Sequence, residues 1–258
     1  MTHRILHHEI DGQPNGPALL LLHPLGADLR FWDHCRARWG GQRHLVAYDR
    51  PGAGKTPSPP TPQSLEDSVE DLDNLCEQLG LASVIPVGVA IGAMIAAAYA
   101  ARHGQRVAGA VLCNPATGLS EAGRSLTMTR LQTVREGGIA ALLPAIVDRA
   151  FNGLPQDDSY HQYIEAFHRN DPVGYERNAL GALGIDVTAD LGRIRCPTLV
   201  LVGQHDVLFP PSDAQKVAAL VDNATYQELP GAAHFPPFQT PAAFTAAVDA
   251  FLDRLPGR

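Results

Sequence analysis

The chain has 258 residues, and its 27 acidic side chains outnumber the 20 basic ones, which gives a formal charge of −7. A chain of this length can bury a full core, either as one α/β domain or as a core with an inserted lid. The negative charge argues against a broad surface for nucleic acid or anionic membranes, but it permits a small anionic substrate held by local arginines.

The first ten residues are polar and alternating, without the apolar region of a signal peptide, and no uninterrupted apolar run in the chain reaches the length of a membrane span. We therefore expect a cytoplasmic protein without a membrane partner. The four cysteines form no C-x-x-C pair, and their spacing suits neither zinc nor a disulfide framework. The sequence predicts free thiols and no metal.

Short apolar runs alternate with helical patterns along most of the chain. The predicted strands cover residues 18–22, 44–48, 83–89, 107–113, 197–202 and 224–229. Continuous apolar runs of this length predict a mostly parallel sheet with helices on both faces. The last run alternates between apolar and polar residues, which is typical of a strand nearer the edge.

The helices between these strands have recognisable starts. Ser64 precedes a predicted helix over 65–79, and Asp67 three residues later resembles a capping box. Residues 90–103 are rich in alanine, which predicts a central helix lying close to the sheet. Thr240 and Pro241 predict the N-cap and the first position of the last helix.

Strand-like runs disappear between residues 115 and 194, where short helical segments cover 126–135, 139–150 and 160–168. This pattern predicts a helical cap inserted into an α/β core of residues 1–114 and 195–258. The cap contains arginines that could each bind a substrate carboxylate, although an exposed helix position is the simpler interpretation for every one. They are Arg124, Arg130, Arg135, Arg149, Arg169 and Arg177.

Residues 88–92, with the sequence GVAIG, lie between a predicted strand and the alanine-rich helix. A G-x-S-x-G turn at such a place forms a nucleophile elbow, because its glycines permit a tight, strained turn that lifts the central side chain above the sheet. The helix N-terminus behind the turn favours negative charge. Here the central residue is Ala90, which has no nucleophilic group.

Three further loops follow predicted strands. After the first strand, Leu25 is the expected donor of one oxyanion-hole N–H, because Pro24 has none, and Ile91 is the expected second donor. Asp206 ends the segment GQHD after the fifth predicted strand, and His234 follows the sixth. The order of elbow, acid and histidine predicts Asp206 as the orienting acid and His234 as the base.

These segments resemble the α/β-hydrolase superfamily over almost the whole chain. LLLHPLGADLRFWD, VAYDRPGAGKT, CPTLVLVGQHD and LPGAAHFPPFQTP look most like the 3-oxoadipate enol-lactonase group. The resemblance implies an α/β-hydrolase fold with a helical cap and hydrolysis of small carboxylated enol-lactones by a Ser-His-Asp triad. It implies Asp206 and His234 as acid and base, and the chain departs from the pattern at Ala90.

Three interpretations of Ala90 follow. A serine could have been changed to alanine to trap a substrate, or the alanine is natural and the histidine acts as a base on water or on an acidic substrate proton. The superfamily includes cofactor-free dioxygenases and lyases, whose chemistry resembles this second interpretation. The third interpretation, a binding protein without catalysis, is disfavoured because it has no need for the acid and the histidine.

The sequence leaves the first two interpretations open. It predicts a small-molecule enzyme acting on an ester, a lactone or an enol-type carbonyl compound, without a cofactor. It does not decide whether the chain forms a homo-oligomer.

Overall fold

The computed structural model describes residues 4–255, so both ends of the predicted core lie outside the described part. Within that range the chain forms one seven-stranded sheet in the order β1-β3-β2-β4-β5-β6-β7, and only the β1–β3 pair is antiparallel. The strands are β1 (His8–Asp11), β2 (Ala18–Leu22), β3 (Leu45–Tyr48), β4 (Val84–Val89), β5 (Ala110–Cys113), β6 (Thr198–Gly203) and β7 (Ala224–Leu229).

The central strands are apolar at every position because both of their faces are covered. All residues of β2, β3, β4, β5 and β6 are buried, whereas β7 alternates in burial as expected for an edge. The polar strand β1 closes the other edge and has no counterpart among the predicted strands. The prediction of a mostly parallel sheet is confirmed.

The helices cover both faces of the sheet. They are α1 (Asp33–Trp39), α2 (Leu65–Gln78), α3 (Ile91–Arg102), α4 (Glu121–Gly137), α5 (Ala145–Ala150), α6 (Asp158–His168), α7 (Pro172–Ala182), α8 (Thr188–Leu191), α9 (Pro211–Leu220), α10 (Pro236–Gln239) and α11 (Pro241–Leu252). One apolar cluster joins the sheet to α1 and α11, and a second joins its other face to α2, α3, α8 and α9. This two-sided burial confirms the predicted α/β class.

Two helix starts follow the predicted signals to different degrees. The Ser64 side chain accepts from the Asp67 amide while the Asp67 carboxylate accepts from the Ser64 amide, so α2 begins with a complete capping box. Pro241 opens α11 as predicted, but the Thr240 side chain does not cap it. The Thr240 hydroxyl donates to the Pro236 carbonyl oxygen instead.

Other predicted boundaries differ for local reasons. The strand predicted over 107–113 begins only at Ala110, because Val107 forms an isolated bridge and the chain then bends. The strand predicted from residue 197 begins at Thr198, since Pro197 has no N–H for the ladder. The helix predicted over 139–150 is two pieces, a 3-10 turn over Ile139–Leu142 and α5, because Pro144 disfavours helical backbone at Leu143.

Between β5 and β6 the chain contains helices α4 to α8. The helix α7 was not predicted, although Asp171 and Pro172 begin it with the same N-cap and proline pattern used for α11. Residues of α4 and α6 such as Leu131 and Phe167 belong to the apolar cluster on the α1 side of the sheet. The helix α8 packs in the other cluster beside α3. The division at residues 114 and 195 stays a prediction.

Candidate active site

The turn between β4 and α3 has the geometry of a strained elbow. Ala90 has φ of 52° and ψ of −114°, a region that L-residues rarely adopt, and its side chain is buried. The flanking glycines are required by close approaches of the backbone. A Cβ on Gly88 would lie 2.2 Å from the Gly92 carbonyl oxygen, and a Cβ on Gly92 would lie 2.4 Å from the Leu22 carbonyl oxygen. The turn therefore holds residue 90 above the end of the sheet.

The histidine and the acid meet beside this turn. His234 Nδ1 lies 2.8 Å from Asp206 Oδ2, and both side chains are almost fully buried. Among the hydrogen bonds of residues 4–255, His234 Nε2 has no partner. The His234 ring lines the same cavity as Ala90, so its second nitrogen is available to a ligand.

Asp206 has a hydrogen-bond donor at each position around its carboxylate. Oδ2 also accepts from Asn114 Nδ2 at 2.5 Å, while Oδ1 accepts from the amides of Leu208 and Phe209 at 2.8 and 3.1 Å. Burial alone raises the pKa of Asp206, but the His234 charge and the hydrogen bonds to the carboxylate outweigh it and lower the pKa. The carboxylate stays ionised and fixes the proton on His234 Nδ1.

Asn114 is a positioning residue that sequence reasoning missed. It follows β5 with φ of 49°, a left-handed conformation that asparagine tolerates better than most residues. Its Nδ2 also donates to the Ala233 carbonyl oxygen at 3.0 Å, and its Oδ1 accepts from the Gly203 amide at 3.3 Å. An asparagine directly after a buried strand was the available signal.

The loop that contains His234 is held by Gln239, which was also not predicted. Its Oε1 accepts from the amides of Ala233 and Phe235 at 2.8 and 3.1 Å, and its Nε2 donates to the Ala150 carbonyl oxygen at 2.9 Å. These bonds tie the histidine loop to α5 of the cap.

The two expected oxyanion donors both line the cavity. Within the described part of the chain, the amides of Leu25 and Ile91 have no hydrogen-bond acceptor. His23 shapes the Leu25 loop, because its Nδ1 donates to the Pro24 carbonyl oxygen at 2.9 Å and its Nε2 accepts from the Arg50 amide at 3.0 Å. Burial, with a contribution from the Arg50 charge, lowers the pKa of His23 to about 4, so the ring is neutral.

The cavity has a volume of about 580 Å³, within the range of small-molecule sites. Ala90 and His234 lie on its sheet side, and residues of α4, α5, α6 and α7 form its cap side. The lining is mainly apolar with a few polar groups. This arrangement suits a small organic substrate.

A model of the α/β hydrolase fold family matches residues 17–241. The chain belongs to this family. The resemblance to the α/β-hydrolase superfamily seen in the sequence motifs is confirmed, and so is the prediction of a hydrolase-type enzyme.

The relatives of this α/β hydrolase include enzymes for several acyl compounds. A protein named "Putative carbamate hydrolase RutD" from Caulobacter sp. (strain K31) is 30% identical, with 96% of this chain and 95% of that protein covered. The enol-lactonase from Burkholderia xenovorans LB400 has a TM-score of 0.90 and 28% identity, with 96% of each chain covered. A thermophilic esterase from Thermogutta terrifontis, solved with malate bound, has a TM-score of 0.87 and 27% identity, with 96% of this chain and 93% of the esterase covered.

Of the six arginines of the α/β hydrolase that were considered as carboxylate ligands, two line its large cavity. These are Arg130 on α4 and Arg149 on α5. Arg124 donates to the Leu183 carbonyl oxygen, and Arg135 forms an ion pair with Glu176 at 2.6 Å. Arg169 lines a separate cavity of about 270 Å³, and Arg177 lines neither cavity.

The remaining nucleophile and metal candidates of the α/β hydrolase are easily placed. Cys113 is fully buried, its Sγ donates to Asn114 Oδ1 at 3.2 Å, and burial raises the pKa of its thiol far above the usual range. Cys113 therefore has the environment of a structural cysteine.

Among residues 4–255 no group of three or more His, Cys, Asp or Glu side chains has a metal-binding arrangement. No helix in that range combines the length and apolar character needed to cross a bilayer.

Proposed function

We propose that this α/β hydrolase cleaves a small ester, lactone, carbamate or related enol-type carbonyl compound by general-base catalysis, without a covalent intermediate at residue 90. The observation that supports this most directly is the 2.8 Å bond from His234 Nδ1 to Asp206 Oδ2 beside an alanine. An oriented base is retained although position 90 has no nucleophile.

In this mechanism Asp206 keeps the proton on His234 Nδ1, which leaves a lone pair on Nε2. Nε2 accepts a proton from a water molecule in the cavity while the water oxygen attacks the substrate carbonyl carbon. Negative charge then develops on the carbonyl oxygen, where the free amides of Leu25 and Ile91 stabilise it. When the tetrahedral intermediate collapses, the leaving group takes the proton from Nε2.

The names of the relatives support an acyl substrate. Carbamates, enol-lactones and carboxylic esters all pass through a tetrahedral oxyanion when water cleaves them. A site with two free amides beside a base meets the common requirement of these reactions. An enol-type substrate with an acidic C–H group would give its proton to His234 at the same nitrogen.

A second candidate is serine-dependent hydrolysis from which the nucleophile has been lost. The backbone of Ala90 favours this alternative, because its φ of 52° costs about 1–3 kcal/mol and serves to lift a reactive side chain. A serine at position 90 would complete a triad with His234 and Asp206.

The test compares the unchanged protein with Ala90→Ser and His234→Gln on p-nitrophenyl acetate and on an enol-lactone. General-base catalysis predicts measurable turnover by the unchanged protein that falls by about 10²–10⁴-fold in His234→Gln, with little gain in Ala90→Ser. A gain of about 10³-fold or more in Ala90→Ser favours the serine-dependent alternative. Turnover that is unaffected by His234→Gln contradicts both. Arg135→Gln, in an exposed ion pair on α4, serves as the control.

A further inference from the structure

The C-terminal end of α5 lies against the loop that carries the base. The Ala150 carbonyl oxygen accepts from the His234 amide at 3.1 Å and from Gln239 Nε2 at 2.9 Å. Gln239 Oε1 accepts from the amides of Ala233 and Phe235, the two neighbours of the base in the chain. Three consecutive amides around the base are therefore held either by α5 or by a side chain bonded to α5.

The segment that follows α5 contacts the loop that carries the acid. Asn152 Nδ2 donates to the carbonyl oxygen of His205, the residue before Asp206, at 3.4 Å. A Cβ on Gly153 would lie 3.7 Å from the His205 ring, so the backbone of this segment lies close to the ring. The end of α5 thus bridges the two loops whose side chains form the 2.8 Å bond between His234 and Asp206.

The helix α5 is also a wall of the large cavity. Its residues Ile146, Arg149 and Ala150 line the space that a substrate would occupy. The helix has only six residues, so its cavity face and the carbonyl group that anchors the base belong to the same short element. Ligand contact and anchoring of the base therefore meet on one helix.

We propose that Gln239 is a positioning residue that fixes the base to α5, so that the helix lining the cavity sets the alignment of His234. The catalytic role of His234 rests on the proposed function, whereas the link from α5 to the His234 ring rests on these contacts.

The chemistry of the Gln239 side chain fits this role. Two N–H groups of the loop require an oxygen acceptor, and the Ala150 carbonyl requires a donor; a side-chain amide supplies both. A carboxylate at position 239 would keep both acceptor contacts but would place an oxygen against the Ala150 carbonyl oxygen. An apolar side chain would lose all three contacts. The two substitutions therefore separate the shape of the loop from its attachment to α5.

The alignment of the base leaves little tolerance for displacement. His234 Nδ1 must stay within hydrogen-bond distance of Asp206, because this bond keeps the proton on that nitrogen. The other ring nitrogen must meet the group that gives up its proton, and a displacement of about 1 Å can lower a rate by about 10²-fold. A loop that is released from α5 should lose both conditions.

The first measurement needs no turnover. NMR of isotope-labelled histidine rings gives the ratio of the Nδ1–H form of His234 to its Nε2–H form while the ring is neutral. We expect this ratio to fall by about 10-fold in Gln239→Glu and by more in Gln239→Met, because the bond to Asp206 is weakened. The melting temperature of every variant reports whether it is folded.

The second measurement is steady-state kinetics on p-nitrophenyl acetate. We expect kcat to fall by about 10-fold in Gln239→Glu and by about 10–100-fold in Gln239→Met. KM should change by less than about twofold, because Gln239 does not line the cavity. A merely structural role would lower the melting temperature without this division between kcat and KM.

Gln204→Glu is the matched control for the added charge, because Gln204 is exposed on the loop of the acid, two positions before Asp206. Its ring ratio and kcat should stay within about twofold of the unchanged protein. An equal loss in Gln204→Glu would assign the effect to the charge and overturn the proposal. A folded Gln239→Glu variant with the ring ratio and kcat of the unchanged protein would also overturn it, even if Gln239→Met lost both.

The two proposals can fail separately. Turnover that persists in His234→Gln rejects the mechanism, while the ring ratio still tests the link to α5. Turnover that requires His234, with an unchanged ring ratio and kcat in Gln239→Glu, rejects the role of Gln239 alone.

Discussion

Behind His234 the Asp206 carboxylate accepts four hydrogen bonds, whereas on the helical side of the cavity Arg130 has a buried guanidinium nitrogen without an acceptor among residues 4–255. Both groups are ionised, and His234, which is bonded to Asp206, lines the same cavity as Arg130. The donors around Asp206 are supplied by the fold, so its charge is oriented before any ligand arrives. The described part of the chain supplies no acceptor for the Arg130 nitrogen. The two sides of the cavity thus differ in whether the fold itself satisfies the charged group.

The substitution with the largest expected effect is Asp206→Asn. An amide cannot accept all four hydrogen bonds, and its own N–H groups would face donors, so we expect a loss of about 3 kcal/mol in the free energy of unfolding. Turnover should fall by about 10³–10⁴-fold, because His234 loses the group that sets its proton position. Urea unfolding and steady-state kinetics measure the two effects.

Asp222→Asn is the control for Asp206→Asn, because Asp222 is exposed and lies 3.6 Å from Arg195. Its stability should change by less than about 0.5 kcal/mol. Equal stability of the Asp206→Asn and Asp222→Asn variants would show that the four hydrogen bonds to Asp206 do not stabilise the fold.

The next largest effect concerns pH and His23 on the oxyanion loop. Its pKa in the folded protein is about 4, against 6.5 for an unperturbed histidine. Below pH 6.5 the unfolded chain binds a proton that the folded chain does not, so stability falls with decreasing pH and the loss is complete near pH 4. The shift corresponds to about 3 kcal/mol, measurable by urea unfolding across that range.

His23→Gln should remove most of this pH dependence, because glutamine can donate to the Pro24 carbonyl and accept from the Arg50 amide without titrating. His161→Gln, which changes an exposed histidine of α6, should leave the pH dependence as it is in the unchanged protein. A His23→Gln variant with the same slope as the unchanged protein would assign the acid sensitivity to another group.

The residues on the sheet side of the cavity were easier to predict from the sequence than those on its helical side, for a physical reason. Parallel strands end at one edge of a sheet, so residues directly after predicted strands, such as Asp206 and His234, were expected to lie close together. The glycines around Ala90 marked the turn because only glycine permits the backbone contacts made there. The catalytic roles of these residues stay predictions.

The supporting groups were harder to predict, because their roles depend on contacts between distant parts of the chain. Asn114 and Asp206 are separated by 92 positions, and no local pattern joins them. The six arginines considered as carboxylate ligands looked equivalent, since helical spacing does not reveal which face of a helix meets a cavity. Only the packing of α4 and α5 separated Arg130 and Arg149 from the arginines that have other contacts.

A smaller effect is expected for Asn114→Ala, which removes one donor to Asp206 and the acceptor of the Gly203 amide. We expect a loss of about 2 kcal/mol in the free energy of unfolding. Because Asp206 keeps its other donors but loses this one, its pKa should rise, which NMR titration of the Asp206 side-chain carboxyl carbon measures. Asn114→Gly also removes the side chain but adopts the φ of 49° without strain. The difference between the Ala and Gly variants therefore gives the contribution of backbone strain to the loss of stability. An Asp206 pKa that is the same in both variants as in the unchanged protein would contradict a role for Asn114 in setting the Asp206 charge.

The smallest expected change, and the one of opposite sign, is Arg130→Met. Methionine has a similar length and no buried donor, so removing the unsatisfied guanidinium should leave the free energy of unfolding unchanged or raise it by about 1 kcal/mol, as measured by urea unfolding. Arg135→Met, which removes an exposed ion pair, should change stability by less than about 0.5 kcal/mol in either direction. A loss of more than about 1 kcal/mol in Arg130→Met would mean that the fold itself uses this cation.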